Sequence, residues 1–171
     1  ASSTTSIDLG MLLNTPSLVD TKLGNIAVQL LTVSINTTNG YALTATSSGK
    51  LINSANMFAI NSSKTPASFP KGKPWFGIHP CGLDVDSAFW TEAGDQNCSS
   101  VIAGSSANEC KYGWPETTTS LTLASDSSGP IGDSVLAGNG LTSIEYAASI
   151  DQTVPAGDYS TVINYTVTPT F

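Results

Sequence analysis

Apolar and polar residues alternate with the period of a β-strand over much of this chain. Residues 5–13 carry Ile7, Leu9, Met11 and Leu13 on one face, with Ser6, Asp8 and Gly10 opposite. Residues 25–35 place Ile26, Val28 and Leu30 in one parity and Leu31, Val33 and Ile35 in the other. The slip at Leu30–Leu31 predicts either a β-bulge or a strand buried on both faces. Asn39-Gly40 is a strong turn signal, and Tyr41, Leu43 and Ala45 begin a return strand, so 25–46 reads as a hairpin. Strand patterns resume at Leu121 and Leu123, from Leu141 to Ile150, and from Tyr159 to Val167. In the last of these, Tyr159, Thr161, Ile163, Tyr165 and Val167 share one face, and Ser160, Val162, Asn164, Thr166 and Thr168 the other. Helical periodicity is nearly absent. Short strands joined by Gly, Asn and Pro turns predict an all-β fold, an immunoglobulin-like or jelly-roll-like two-sheet sandwich spanning 1–171 as one domain.

The middle of the chain, 61–116, breaks this pattern. It is rich in Gly, Pro, Ser and Asn and holds all three cysteines and all three tryptophans. Pro66, Pro70, Pro74 and Pro80 argue against long ladders there. Short strands are expected only near Trp75-Phe76-Gly77-Ile78 and Ala88-Phe89-Trp90, inside a loop-rich, disulfide-containing insertion.

Composition narrows the functional classes. The 171 residues include 45 Ser plus Thr, six lysines, no Arg and thirteen acids, for a net charge of −7. Nucleic-acid binding needs a cationic stripe to displace counterions, and no basic cluster exists. No basic amphipathic segment and no apolar run of the ~20 residues needed to span a bilayer is present. Ala1-Ser2-Ser3, without Met, reads as a mature end left by signal-peptide cleavage, which places the protein outside the cell. Four Asn-X-Ser/Thr sequons, at Asn36, Asn61, Asn97 and Asn164, fit an exported glycoprotein. Cys81, Cys98 and Cys110 lack the spacing of a zinc site, and in an exported chain they predict one disulfide. Cys98–Cys110 closes the shortest loop, although spacing alone leaves the connectivity open.

The stretch Val154-Pro155-Ala156-Gly157-Asp158-Tyr159-Ser160-Thr161-Val162-Ile163-Asn164-Tyr165 resembles the last-strand motif of spore coat U-like and chaperone–usher fimbrial subunits. Ile7-Asp8-Leu9-Gly10 and Asn39-Gly40-Tyr41-Ala42-Leu43 are similar to segments of secreted bacterial β-sandwich surface proteins. The resemblance covers about the first fifty and last thirty residues, and the central cysteines depart from the fimbrial pattern. It implies an extracellular filament or coat in which one subunit lends a strand to the next.

Catalytic chemistry is hard to assemble from these residues. His79 is the sole imidazole, between Ile78 and Pro80, and no Gly-X-Ser-X-Gly elbow is present. Asp84 and Asp86 would share a strand face but lack a calcium-loop context, and nothing pairs two acids for hydrolysis. Neither a catalytic residue nor a metal or cofactor is therefore expected. Trp75, Trp90, Tyr112 and Trp114 form either a sugar-binding platform or a satellite core. The expected function is a pilin-like subunit with identical subunits as partners. Residues 1–14 supply the donor strand through Ile7, Leu9, Gly10, Met11 and Leu13, hinged at Asn14-Thr15-Pro16. The alternatives are an adhesive module for cell-surface glycans, or a surface-layer component.

Overall fold

The computed structural model describes residues 5–12, 25–68, 70, 73–91, 94, 110–128 and 140–171. Among these the fold is all-β, with ten strands and a single 3-10 turn, Ser87–Phe89. The strands are β1 (Asn25–Thr32), β2 (Tyr41–Ser47), β3 (Ile52–Asn53), β4 (Phe58–Ala59), β5 (Ala67–Ser68), β6 (Trp75–Cys81), β7 (Lys111–Tyr112), β8 (Leu121–Asp126), β9 (Leu141–Ser149) and β10 (Ile163–Pro169). Two antiparallel three-stranded sheets, β1-β9-β6 and β10-β2-β8, make the sandwich. The pairs β3-β4 and β5-β7 form small ribbons beside it.

The core follows from strand alternation. In β2, Tyr41, Leu43, Ala45 and Ser47 are buried while Ala42, Thr44 and Thr46 are half-buried. They meet Leu121 and Leu123 of β8, Phe76 and Ile78 of β6, and Ile144, Tyr146 and Ala148 of β9. Trp114 stacks obliquely on Phe76 at 4.2 Å, and its Nε1 donates to the Gly49 carbonyl at 2.8 Å. Asp84 ties the two sheets at one end. Its Oδ2 accepts from the Tyr41 hydroxyl on β2 at 3.0 Å and from the Gly140 amide, next to β9, at 2.7 Å.

Turn chemistry fixes the corners. Gly40 sits at φ +77°, and a Cβ there would lie 1.9 Å from the Asp126 carbonyl oxygen. Gly157 sits at φ +146°, and a Cβ would collide with Nδ2 of the buried Asn53. The Pro155–Tyr159 stretch is closed by the Tyr159 hydroxyl donating to the Pro155 carbonyl at 2.8 Å, in the manner of a tyrosine corner.

Several local expectations are corrected. Residues 25–46 are not a hairpin: β1 pairs with β9, whereas β2 lies in the other sheet between β10 and β8. The Asn39-Gly40 turn therefore carries the chain from one sheet to the other. The register of β1 is unbroken from Asn25↔Ala148 to Thr32↔Leu141, so Leu30–Leu31 is no bulge. The register shift falls between Leu43 and Thr44, in the β2–β8 pair. Segment 61–116 is not a mere insertion, because β6 is a full strand of the sandwich. Pro80 lies inside that strand at little cost. Ile78, of the same parity, exchanges hydrogen bonds with Gly113 on the side away from β9, so the N–H that Pro80 lacks would also point away from β9. Ala88-Phe89-Trp90 is a 3-10 turn and its C-cap, capped by Asp86, instead of a strand.

The clearest local test is Gly40→Ala. With both a left-handed backbone and a carbonyl in the way, it is expected to destabilise the fold by more than about 1 kcal/mol. Urea denaturation followed by circular dichroism measures this, and an unchanged midpoint would refute the assignment.

Candidate functional site

Residues of the β1-β9-β6 sheet that face away from the sandwich core form three cross-strand rows. These are Ile26–Ala147–Gly77, Val28–Glu145–His79 and Leu30–Ser143–Cys81. The β9–β6 half of this outer face is covered by residues 110–113. Tyr112 is fully buried against Ala147, with Trp75 and Cys110 around it. A Cβ on Gly77 would stand 3.0 Å from the Tyr112 Cβ, so the glycine permits this close approach.

The covering segment is pinned by polar contacts. The Tyr112 hydroxyl donates to Glu145 Oε1. The buried His79 donates through Nδ1 to the Lys111 carbonyl at 2.9 Å, and its ring lies 5.6 Å from Tyr112 and 6.2 Å from Phe89. Burial, reinforced by Glu145, pushes the Tyr112 phenol far up, so it remains a donor. Burial and then Glu145 also push the free Cys81 thiol up from 9.0 to about 11. A thiol held protonated in this way is a poor nucleophile. Glu145, which no sequence motif singles out, organises this cluster as the register neighbour of both Val28 and His79.

The β1 half of the same face is open. Ile26, Val28 and Leu30 are 42%, 59% and 62% exposed. On the inward side Gln29 accepts from the Tyr146 hydroxyl at 2.8 Å, and Tyr165 of β10 donates to Tyr146 at 2.6 Å. Burial, with Tyr146 alongside, pushes the Tyr165 phenol well up. This bridge ties β1, β9 and β10 together. The outer edges of β6 and β8 are met by short bridges to Gly113 and Val85, whereas β1 and β10 have no second strand partner among the described residues.

The residues singled out by sequence fall as follows. Residues 5–12 join no ladder. Ile7, Leu9 and Leu12 pack on the chain's own core, while Met11 is 78% exposed. Gly10 adopts φ +68° and donates its amide to Asp8 Oδ1 at 2.7 Å. That local turn breaks the expected alternation, so Leu12 instead of Met11 is turned inward. Leu13 and the hinge Asn14-Thr15-Pro16 lie outside the described residues.

The four aromatics do not make one exposed surface. Trp114 belongs to the main core at 3% exposure, and Tyr112 to the outer cluster. Trp90 is half-buried with its Nε1 on the Val85 carbonyl at 3.1 Å, and Trp75 is half-buried with its Nε1 unpartnered. Asn36, Asn61 and Asn164 are exposed, whereas Asn97 lies outside the described residues. Cys110 is disulfide-bonded and Cys81 is free, while Cys98 lies outside the described residues. Asp84 serves the inter-sheet tie, and Asp86 caps the 3-10 turn by accepting from the Ala88 amide at 2.9 Å. Among the described residues no group of three or more His, Cys, Asp or Glu is placed to hold a metal ion. No described helix is long and apolar enough to cross a membrane.

No family model, curated protein or solved structure matches this chain.

Two measurements check the cysteines. In the folded state Cys81 has its value raised, so the unfolded thiol releases its proton first as pH rises. The stability associated with Cys81 is full below about 9 and is lost as pH climbs through about 11. The raised tyrosines act in the same direction at higher pH. Thermal melts from pH 8 to 11 are expected to show a steady loss, absent in Cys81→Ala up to about pH 10. Secondly, non-reducing peptide mapping is expected to find Cys98 joined to Cys110. Reducing that bond should cost roughly 2–4 kcal/mol. A Cys81-containing cross-link in the native protein would overturn the pairing.

Proposed function

We propose that the chain is a non-enzymatic structural subunit of an extracellular filament, assembled head-to-tail by exchange of its N-terminal segment. One observation carries this reading. Residues 5–12 contribute Ile7, Leu9 and Leu12 to the core without sharing in any ladder. Core contacts made outside any ladder can be reproduced by the same segment of a neighbouring subunit, as in domain swapping. A swapped segment that straightens along an open edge would form a continuous strand ladder there, which residues 5–12 do not form in their own subunit. Donation in one direction is heterologous and does not close, so it propagates as a fibre. The resemblance of the 154–165 stretch to fimbrial last strands favours the same reading. Exposed Asn36, Asn61 and Asn164 leave room for glycans on the outside of such a fibre.

The sugar-binding alternative is weakened by its aromatics. The Trp114 ring borders a cleft with Lys50, Lys64 and Glu116, but it is buried and offers no open stacking face.

Negative-stain microscopy tests the proposal. The full chain is expected to form fibres, and a chain lacking residues 1–13 is expected to remain unpolymerised. Ile7→Lys with Leu9→Lys should have the same effect while leaving residue 1 onward in place. Fibres from either variant would remove strand exchange as the mechanism.

A further inference from the structure

We infer that β1 is a second assembly surface, whose partner is β1 of another copy, paired antiparallel about a two-fold axis at Val28. This goes beyond strand exchange and does not depend on it.

An edge strand with apolar side chains invites pairing, and proteins normally guard such edges with charge, Pro, a bulge or a covering segment. Among the described residues none of these guards appears on β1. The sequence Asn25-Ile26-Ala27-Val28-Gln29-Leu30-Leu31-Thr32 has no charged residue and no Pro, in a protein of net charge −7. Its register is continuous, without a bulge, and no described residue pairs with its second edge. Ile26, Val28 and Leu30 are more than two-fifths exposed. By contrast β10, the other open edge, presents Asn164, Thr166 and Thr168 outward, a polar face that carries a sequon.

The pattern of β1 is also self-complementary, which selects a second copy over an unrelated partner. Apolar residues stand at 26, 28 and 30, symmetrically about Val28. In an antiparallel β1–β1 pair centred there, Val28 meets Val28 of the second copy. Ile26 then meets Leu30, and Ala27 meets Gln29. Each exposed apolar side chain gains an apolar cross-strand neighbour, and no like charges are opposed. The two sheets join into one of six strands, in the order β6-β9-β1-β1-β9-β6. This contact is isologous and closes on itself, so it links two subunits sideways. The edge left for a donated segment is then β10.

Sedimentation velocity of the full chain over a concentration series tests the pairing. The expected result is a concentration-dependent dimer, or paired fibres if strand exchange also operates. Val28→Lys opposes two like charges at the axis and should weaken this association roughly tenfold or more. The side chain is exposed, so the thermal midpoint should not change.

Cross-linking reads the register. In a Cys81→Ser background, V28C should form a disulfide dimer with itself. Neither I26C nor L30C should do so alone, but a mixture of the two should. Three results would overturn the inference: V28K associating like the wild type, V28C cross-linking no faster than L30C, or a monomer in which the β1 amides that point away from β9 are protected from hydrogen exchange. The last would mean that another part of the chain covers the edge. Loss of fibres on deleting residues 1–13, with this dimer intact, separates the fate of one proposal from that of the other.

Discussion

The whole architecture depends on β9 being covered on both faces. From Tyr146 to Ser149 every residue of this strand is buried, which a two-layer sandwich does not ordinarily require of one strand. Ile144, Tyr146 and Ala148 fill the inter-sheet core, and Ala147 lies beneath Tyr112 on the other side. Small side chains make this possible. Ala147 and Gly77, paired across β9 and β6, leave room on the outer face for the 110–113 segment to lie against the sheet. Glu145 then has to be satisfied under that cover, which the Tyr112 hydroxyl does. Ile26, Val28 and Leu30 of β1, in the same outer face, remain exposed.

The plainest strand in the sequence has one wet face and one dry face. The run from Tyr159 to Val167 alternates cleanly, and Tyr159, Ile163 and Tyr165 do pack inward. The all-β class and the strands at 121–126 and 141–149 were equally readable, because period-two patterning is a local signal. Pairing is not local. Asn39-Gly40 looked like a hairpin turn because its chemistry suits any tight reversal, and nothing nearby reveals that the chain crosses to the opposite sheet. Residues 5–12 failed for a different reason: Asp8 captures the Gly10 amide, and this local turn overrides the alternation.

The candidate site was the least legible part. Val28, Glu145, His79 and Tyr112 come together only through two strand registers and a covering segment, at separations that no spacing rule encodes. The three tryptophans cluster in the sequence. Trp114 and Tyr112, two residues apart, nevertheless enter different cores on opposite sides of one sheet. The uncharged run 25–35 was itself a usable signal. An apolar stretch with both parities occupied belongs either to a strand buried on two sides or to one that awaits a partner.

The pairing of β1 with β9 has a kinetic consequence. Asn25 meets Ala148 and Thr32 meets Leu141, so the first strand of the sandwich must wait for the ninth. In a chain that leaves the ribosome or a translocon from its N-terminus, β1 appears well before its partner exists. Closing so long a loop is slow, and contact order places folds of this kind among the slower folders. Through that interval an uncharged apolar strand is open on both edges and finds any similar strand as readily as its own mate. The concentration at which the chain is made therefore governs its yield as much as its final stability does. A binding factor that shields residues 25–32 until β9 arrives would act on folding without touching the finished sandwich.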